Sequence, residues 1–111
     1  MSTIKVAGVK KPISIFRILY VLGRGSYSEV YTDDGKHVLS SMNLKTIEEQ
    51  STELIRIHKA TLVNRAFIDQ ATPPVLLKKG SVALVTMRDG RLLSVARRRW
   101  AVLLALTEAI G

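Results

Sequence analysis

The sequence predicts a mainly β domain of several small antiparallel sheets, with one short helix near its middle and a second short helix at its C-terminus. Three observations carry this prediction. β-Branched and aromatic residues recur in short runs bounded by turn residues. The dipeptides Asp34-Gly35 and Asp89-Gly90 supply the positive φ that tight hairpins require. Helical spacing of apolar residues is confined to two segments, Asn43–Gln50 and Ala96–Gly111.

In chain order, residues 1–12 read as a loose basic arm, and residues 13–111 as the domain itself. The run ISIFRILYVL from Ile13 to Leu22 mixes β-branched and aromatic residues in partial alternation, as a strand does, and GRGS punctuates it. The segment from Tyr27 to Ser40 then forms two strands around Asp34-Gly35. Asn43 stands in N-cap position before Leu44 and Ile47, which opens the central helix. Leu54–His58 returns to strand alternation, and Thr61–Asn64 adds a second short apolar patch. Pro73-Pro74 marks a loop. Residues 81–87 alternate most clearly, with Val82, Leu84 and Thr86 on one face and Ala83, Val85 and Met87 on the other. A turn at Arg88–Arg91 returns the chain through LLSV, and the alanine- and leucine-rich C-terminus forms a closing helix capped by Gly111. This order of elements excludes a dinucleotide-binding βαβ unit and a helix-turn-helix as the main architecture.

Composition narrows the function. The 111 residues make one domain with 47% hydrophobic content, enough for a single core. Seventeen basic against nine acidic side chains leave a net charge of +8, which points to a polyanionic partner, nucleic acid before membrane. A soluble basic domain accounts for the charge alone equally well, so spacing must decide. With no cysteine, disulfides, thiolate metal sites and cysteine nucleophiles are excluded, and His37 and His58 lack partners at metal-binding spacing. No metal and no cofactor are expected. The longest apolar run, Trp100–Leu106, is seven residues, against the roughly 20 that a membrane helix needs, and the N-terminus lacks the apolar core of a signal peptide. A cytoplasmic protein without a membrane partner is expected.

The stretch LGRGSYSEVY, from Leu22 to Tyr31, resembles the glycine-rich loop with which protein kinases cover ATP phosphates. Its companions are missing. The next strand, HVLSSM, carries no lysine to pair the phosphates, and neither a catalytic loop of the HRD type nor a DFG triplet occurs. A strand-to-strand connection of small residues is the better account.

Two other segments are more specific. LIRIHKATLVNRAFI, from Leu54 to Ile68, resembles the central signature of the LytTR family of bacterial DNA-binding domains, in which a hydrophobic residue, a basic residue, Ile and His precede a stretch ending in Val-Asn. Here these fall on Leu54, Arg56, Ile57, His58, Lys59 and Val63-Asn64. MRDGRLLSVARRRW, from Met87 to Trp100, resembles the family's C-terminal signature of a turn glycine, a strand and a basic cluster. The segment ILYVLGRGSYSEVYTDDGK fits its first landmark, and the Asn43–Gln50 helix stands where the family has its short helix. Three signatures in order cover roughly residues 13 to 105.

The resemblance implies an elongated domain without an enzymatic mechanism, which binds double-stranded DNA sequence-specifically in transcription regulation by placing loops in successive major grooves. Residue-wise matching puts the three base contacts on Tyr27, Lys59 and Arg97. Lys59 stands where the family usually has arginine, and Ala96 where a serine commonly precedes the matched arginine. Lysine reaches guanine O6 and N7 but lacks arginine's rigid fork, which implies a different or looser base preference. Paired binding to a repeated site, as a homodimer or through DNA alone, is also implied, as is a receiver domain or sensor partner outside this chain, since none fits in residues 1–12.

The residues make chemical sense on their own. Arg97, Arg98 and Arg99 open a helix, where the dipole disfavours cations, so an anion is their natural use. Adjacent arginines cannot share one helix face, which leaves Arg97 for a base edge and Arg98 or Arg99 for phosphate. Arg24 and Arg65 extend the strip, with Ser26 and Thr61 as neutral phosphate donors. His58 is expected to be structural, its ring bonded to backbone beneath the loop, and Asn64 to be a turn-former whose amide satisfies neighbouring backbone. Trp100 reads as a packing anchor, because aromatic residues, at 5%, are too few and scattered to stack single-stranded bases. A basic β-rich module that binds acidic protein or anionic surfaces is the alternative.

Overall fold

A computed structural model describes residues 3–4, 13–69, 75–76 and 83–110. The centre is a five-stranded antiparallel sheet in the order β5-β4-β3-β7-β6, formed by β3 (Ile18–Arg24), β4 (Tyr27–Thr32), β5 (His37–Ser40), β6 (Leu54–His58) and β7 (Thr61–Asn64). A three-stranded sheet in the order β10-β9-β8 comprises β8 (Val75–Leu76), β9 (Ala83–Thr86) and β10 (Leu92–Val95). Thr3–Ile4 (β1) and Ile13–Ser14 (β2) pair with each other. Helix α1 covers Leu44–Glu48 and α2 covers Arg97–Ile110. The molecule is elongated, 44 × 27 × 22 Å.

Strand β3 is buried continuously from Ile18 to Leu22, because both faces of the sheet are covered. On one side Ile18 and Val21 pack with Ile15, Leu44, Ile47 and Leu62, beneath α1. On the other, Leu19, Tyr20 and Leu22 join Ile57, Val85, Met87, Val95 and Leu103, which brings in the small sheet and α2. Trp100 is partly buried against this second cluster. Burial on both faces explains why the β3 sequence alternates only in part.

Several local expectations hold. Asn43 caps α1, its Oδ1 accepting from Thr46 N at 2.9 Å. Gly35, at φ 80°, makes the β4-β5 turn. Met87 N donates to Arg91 O at 2.9 Å across the second turn, and Ala83, Val85 and Met87 face the core. Three expectations need correction. Ile13–Leu22 is not one strand, because a 3-10 turn at Ile15–Arg17, capped by Ser14, interrupts it. The arm is not wholly loose, since Thr3–Ile4 pairs with Ile13–Ser14. GRGS is not a loop throughout: Gly23 and Arg24 belong to β3, and only Gly25, at φ 74°, and Ser26 make the turn. A Cβ at Gly23 would meet Ala60 O and Leu44 at an ordinary 3.6 Å, so the kinase-like spacing of the two glycines has no shared cause. The Pro73-Pro74 loop, Val82 and the Gly111 cap lie outside the described residues.

Asn64, 1% exposed, joins the start of β3 to the end of β7. Its Nδ2 donates to Ile15 O at 2.8 Å and Ile18 O at 2.9 Å, while its Oδ1 accepts from Ala66 N at 3.0 Å. Asn64→Ala strands these buried groups and is expected to cost about 2–4 kcal/mol, read as a lower urea midpoint at unchanged m. In the β4-β5 turn, Thr32 Oγ1 and Lys36 N both donate to Asp34 Oδ1, at 2.6 and 3.1 Å, and these bonds hold the Asp34 carboxyl below the ordinary value of 3.8. A lowered folded value means that the stabilisation is complete above the unfolded value and is lost as pH falls through the folded one. The midpoint gap between the parent and Asp34→Ala should therefore be constant near neutrality and close below pH 3.8; a gap that persists in strong acid would contradict this.

Candidate nucleic-acid interface

The register of β3 decides what meets at one end of the central sheet. Leu22 lies opposite Thr61 and Arg24 opposite Tyr27, and Gly23 N donates to Ala60 O at 2.7 Å. The Gly25-Ser26 turn and the Lys59-Ala60 turn therefore project side by side. The start of α2 arrives at the same place, because Ala96 N donates to Ile57 O at 2.7 Å and fixes the helix against β6.

Here Arg56, Lys59, Arg98 and Arg99 line one cleft of about 220 Å³ with His58 and Ala96. Among the described residues, no acidic side chain lines it. Lys59 and Arg98 are exposed, and neither makes an ion pair among the described residues. Such unpaired cations, held on a rigid frame, suit an incoming polyanion. His58 lies on the wall with its Nδ1 accepting from Ala60 N at 3.3 Å, a bond that shapes the turn.

A second cleft adjoins the first across His58, and Arg24 and Arg91 line it. In the sequence Arg91 stands out as a turn residue and no more. The structure places its guanidinium 5.4 Å from the Tyr20 ring and 5.2 Å from the Tyr31 ring, and these two rings stack at 4.8 Å. Tyr20 OH donates to Asp89 Oδ2 at 2.9 Å, and burial pushes the phenol above its ordinary value. The aromatic stack thus docks the 88–91 turn on the central sheet and leaves Arg91 exposed. Two arginines around one Asp-Gly pair were the available signal.

The expected site residues do not all converge. Tyr27, 43% exposed, and Ser26 stand at the 25–26 turn near the cleft end. Arg97 is exposed at the first position of α2 but does not line the cleft, which Arg98 and Arg99 do. Arg24 Nε lies 3.0 Å from Glu29 Oε1, so its charge is partly offset. Thr61, 8% exposed, lines the second cleft with Arg24 and Arg91. One residue stands apart from the strip. Arg65 follows the far end of β7, roughly 13 Å of strand away, where it pairs with Glu53 at 3.3 Å.

Among the described residues no three His, Cys, Asp or Glu gather as a metal would require, and no helix is long and apolar enough to cross a membrane. The family model of the LytTr DNA-binding domain matches residues 10–108. No curated protein matches the chain. Among solved structures, a chain described as the LytTr DNA-binding domain of a methyl-accepting/DNA response regulator from Bacillus cereus is similar at 16% identity with a TM-score of 0.73, over 94% of this chain and 98% of that one. With its mainly β architecture and a family match that spans nearly its whole length, the chain belongs to the LytTr DNA-binding domain family.

Proposed function

We propose that this domain binds double-stranded DNA sequence-specifically in transcription regulation, using the end of the molecule where the 25–26 turn, the 59–60 turn and the start of α2 converge. The observation that carries this reading is the acid-free cleft of Arg56, Lys59, Arg98 and Arg99. Lys59, Arg98 and Arg99, which make no ion pair among the described residues, stand beside a tight turn and can both neutralise phosphates, with counterion release, and send one or two side chains to base edges. A β-turn is narrow enough to enter the roughly 12 Å major groove, where guanine offers O6 and N7 to Lys59.

Within this reading Lys59 and Tyr27 are base contacts. Arg97 points from the first position of α2 to a neighbouring base edge, and Arg98 and Arg99 engage phosphate. Arg24, Ser26 and Arg91 extend the backbone contacts along the second cleft. The similar domain from Bacillus cereus is described as part of a response regulator, which supports a role downstream of a receiver or sensor.

Competition binding tests the reading. A preferred duplex, selected from a random pool, should outcompete random duplex by at least about tenfold, whereas equal binding to any polyanion would sink it. Lys59→Ala and Arg97→Ala should each cost about 1–3 kcal/mol on the preferred site and relax discrimination, while Arg98→Ala should weaken all duplexes alike and reduce the salt slope by about one. Arg65→Ala should stay within about 0.5 kcal/mol of the parent. A loss at Arg65 that matches the loss at Lys59 would place the interface elsewhere.

A further inference from the structure

The turn that presents Lys59 is gripped from inside by one guanidinium. Arg56 Nε donates to His58 O at 2.9 Å and its Nη2 donates to Lys59 O at 2.6 Å. Its Nη1 donates to Glu48 Oε1 at 2.8 Å, on the last residue of α1. One rigid planar group thus holds two successive turn carbonyls and a carboxylate from another element. The Arg56 side chain is 20% exposed and that of Glu48 34%, so the charge-assisted bond between them is partly sheltered from water, while the bond to Lys59 O lies at the exposed turn.

The backbone around Arg56 is irregular in a way that needs such a grip. Pairing between β6 and β7 slips between Arg56, opposite Leu62, and His58, opposite Thr61, which leaves Ile57 as an extra residue. A bulge of this kind bends the strand and re-aims the side chains that follow it. Ile57 spends its carbonyl on Ala96 N, at the threshold of α2. The bulge, the turn and the helix start therefore share one short piece of β6, and Arg56 is the side chain that fixes its shape.

We infer that Arg56 is a positioning residue for DNA readout, which together with Glu48 locks the 59–60 turn so that Lys59 and the start of α2 meet the duplex in one arrangement. This rests on the reading of that turn as a DNA contact. It makes α1 part of the recognition apparatus through Glu48, although α1 contributes no side chain to the cleft. Lysine at position 56 would keep the charge but could not span two carbonyls and a carboxylate with fixed geometry, so the role needs arginine's fork.

Arg56→Met, which keeps the apolar stem, tests the inference with two readouts. In the DNA-free protein, hydrogen exchange of the amides of residues 59 and 60 should accelerate while the rest of the central sheet stays protected. On the preferred duplex, binding should weaken about tenfold, but far less in a Lys59→Ala background, because a displaced turn matters only while Lys59 is there to be aimed. Arg56→Lys should not restore affinity, and Glu48→Gln, which retains an acceptor oxygen, should restore more of it than Glu48→Ala. If Arg56→Met does not fold, Glu48→Ala carries both readouts. Unchanged exchange at the turn, or losses that simply add with Lys59→Ala, would overturn the role of Arg56. Parent-like binding by Lys59→Ala alone would overturn instead the assignment of the turn to DNA, and exchange in the DNA-free protein would still decide whether Arg56 holds it.

Discussion

The structure depends on the pairing of β3 with β4 on one side and β7 on the other. Because the side-chain period of a strand is two, a slip of one residue in this register would exchange the residues that pack beneath α1 with those that pack on the small sheet and α2, and would separate the two turns that now stand together. Burial on both faces makes that register costly to change. The hydrogen bond from Gly23 N to Ala60 O at 2.7 Å is its local expression, and Asn64 secures the opposite end with its bonds to Ile15 O and Ile18 O. Between these two anchors the strand cannot slide.

From that constraint the proposed DNA-binding end follows. The turns at 25–26 and 59–60 are adjacent because their strands are, and α2 begins beside them because β10 and Ala96 are tied to β6. The opposite end carries a different chemistry. There Arg17 meets Asp33 and Asp34 at 3.3 Å each, and Arg65 meets Glu53, so basic residues are paired with acids. Net charge alone would not distinguish the two ends. The cations without an ion pair among the described residues do, since Lys59 and Arg97 to Arg99 gather where the backbone narrows to turns, beside Arg24 and Arg56, which are paired with Glu29 and Glu48.

Much of this was legible in the sequence, and the rest was hidden for identifiable reasons. The hairpins at Asp34-Gly35 and Gly90, the Asn43 cap and the faces of Ala83, Val85 and Met87 are local features, written in turn chemistry and alternation. The 3-10 turn at Ile15–Arg17 was not, because its residues favour strands and the Asn64 amide that accompanies its Ser14 cap lies far along the chain. Thr61 is largely buried, because a strand covered on both faces buries polar and apolar positions alike, yet it still edges the second cleft. The cleft was legible as a set of basic residues and not as a place. Which of the three consecutive arginines face Lys59 depends on how Ala96 docks on Ile57, and the grip of Arg56 depends on Glu48, eight residues away across a helix end.

One end of the central sheet, and not the other, is proposed to meet DNA. Amide chemical-shift mapping during titration with the selected duplex tests this directly, since it reports every surface at once. The largest changes should fall at residues 25–27, 59–60 and 97–99, with residues 33–36 and 65–67 nearly unmoved. Changes concentrated at 33–36 and 65–67, with the 59–60 turn silent, would contradict it.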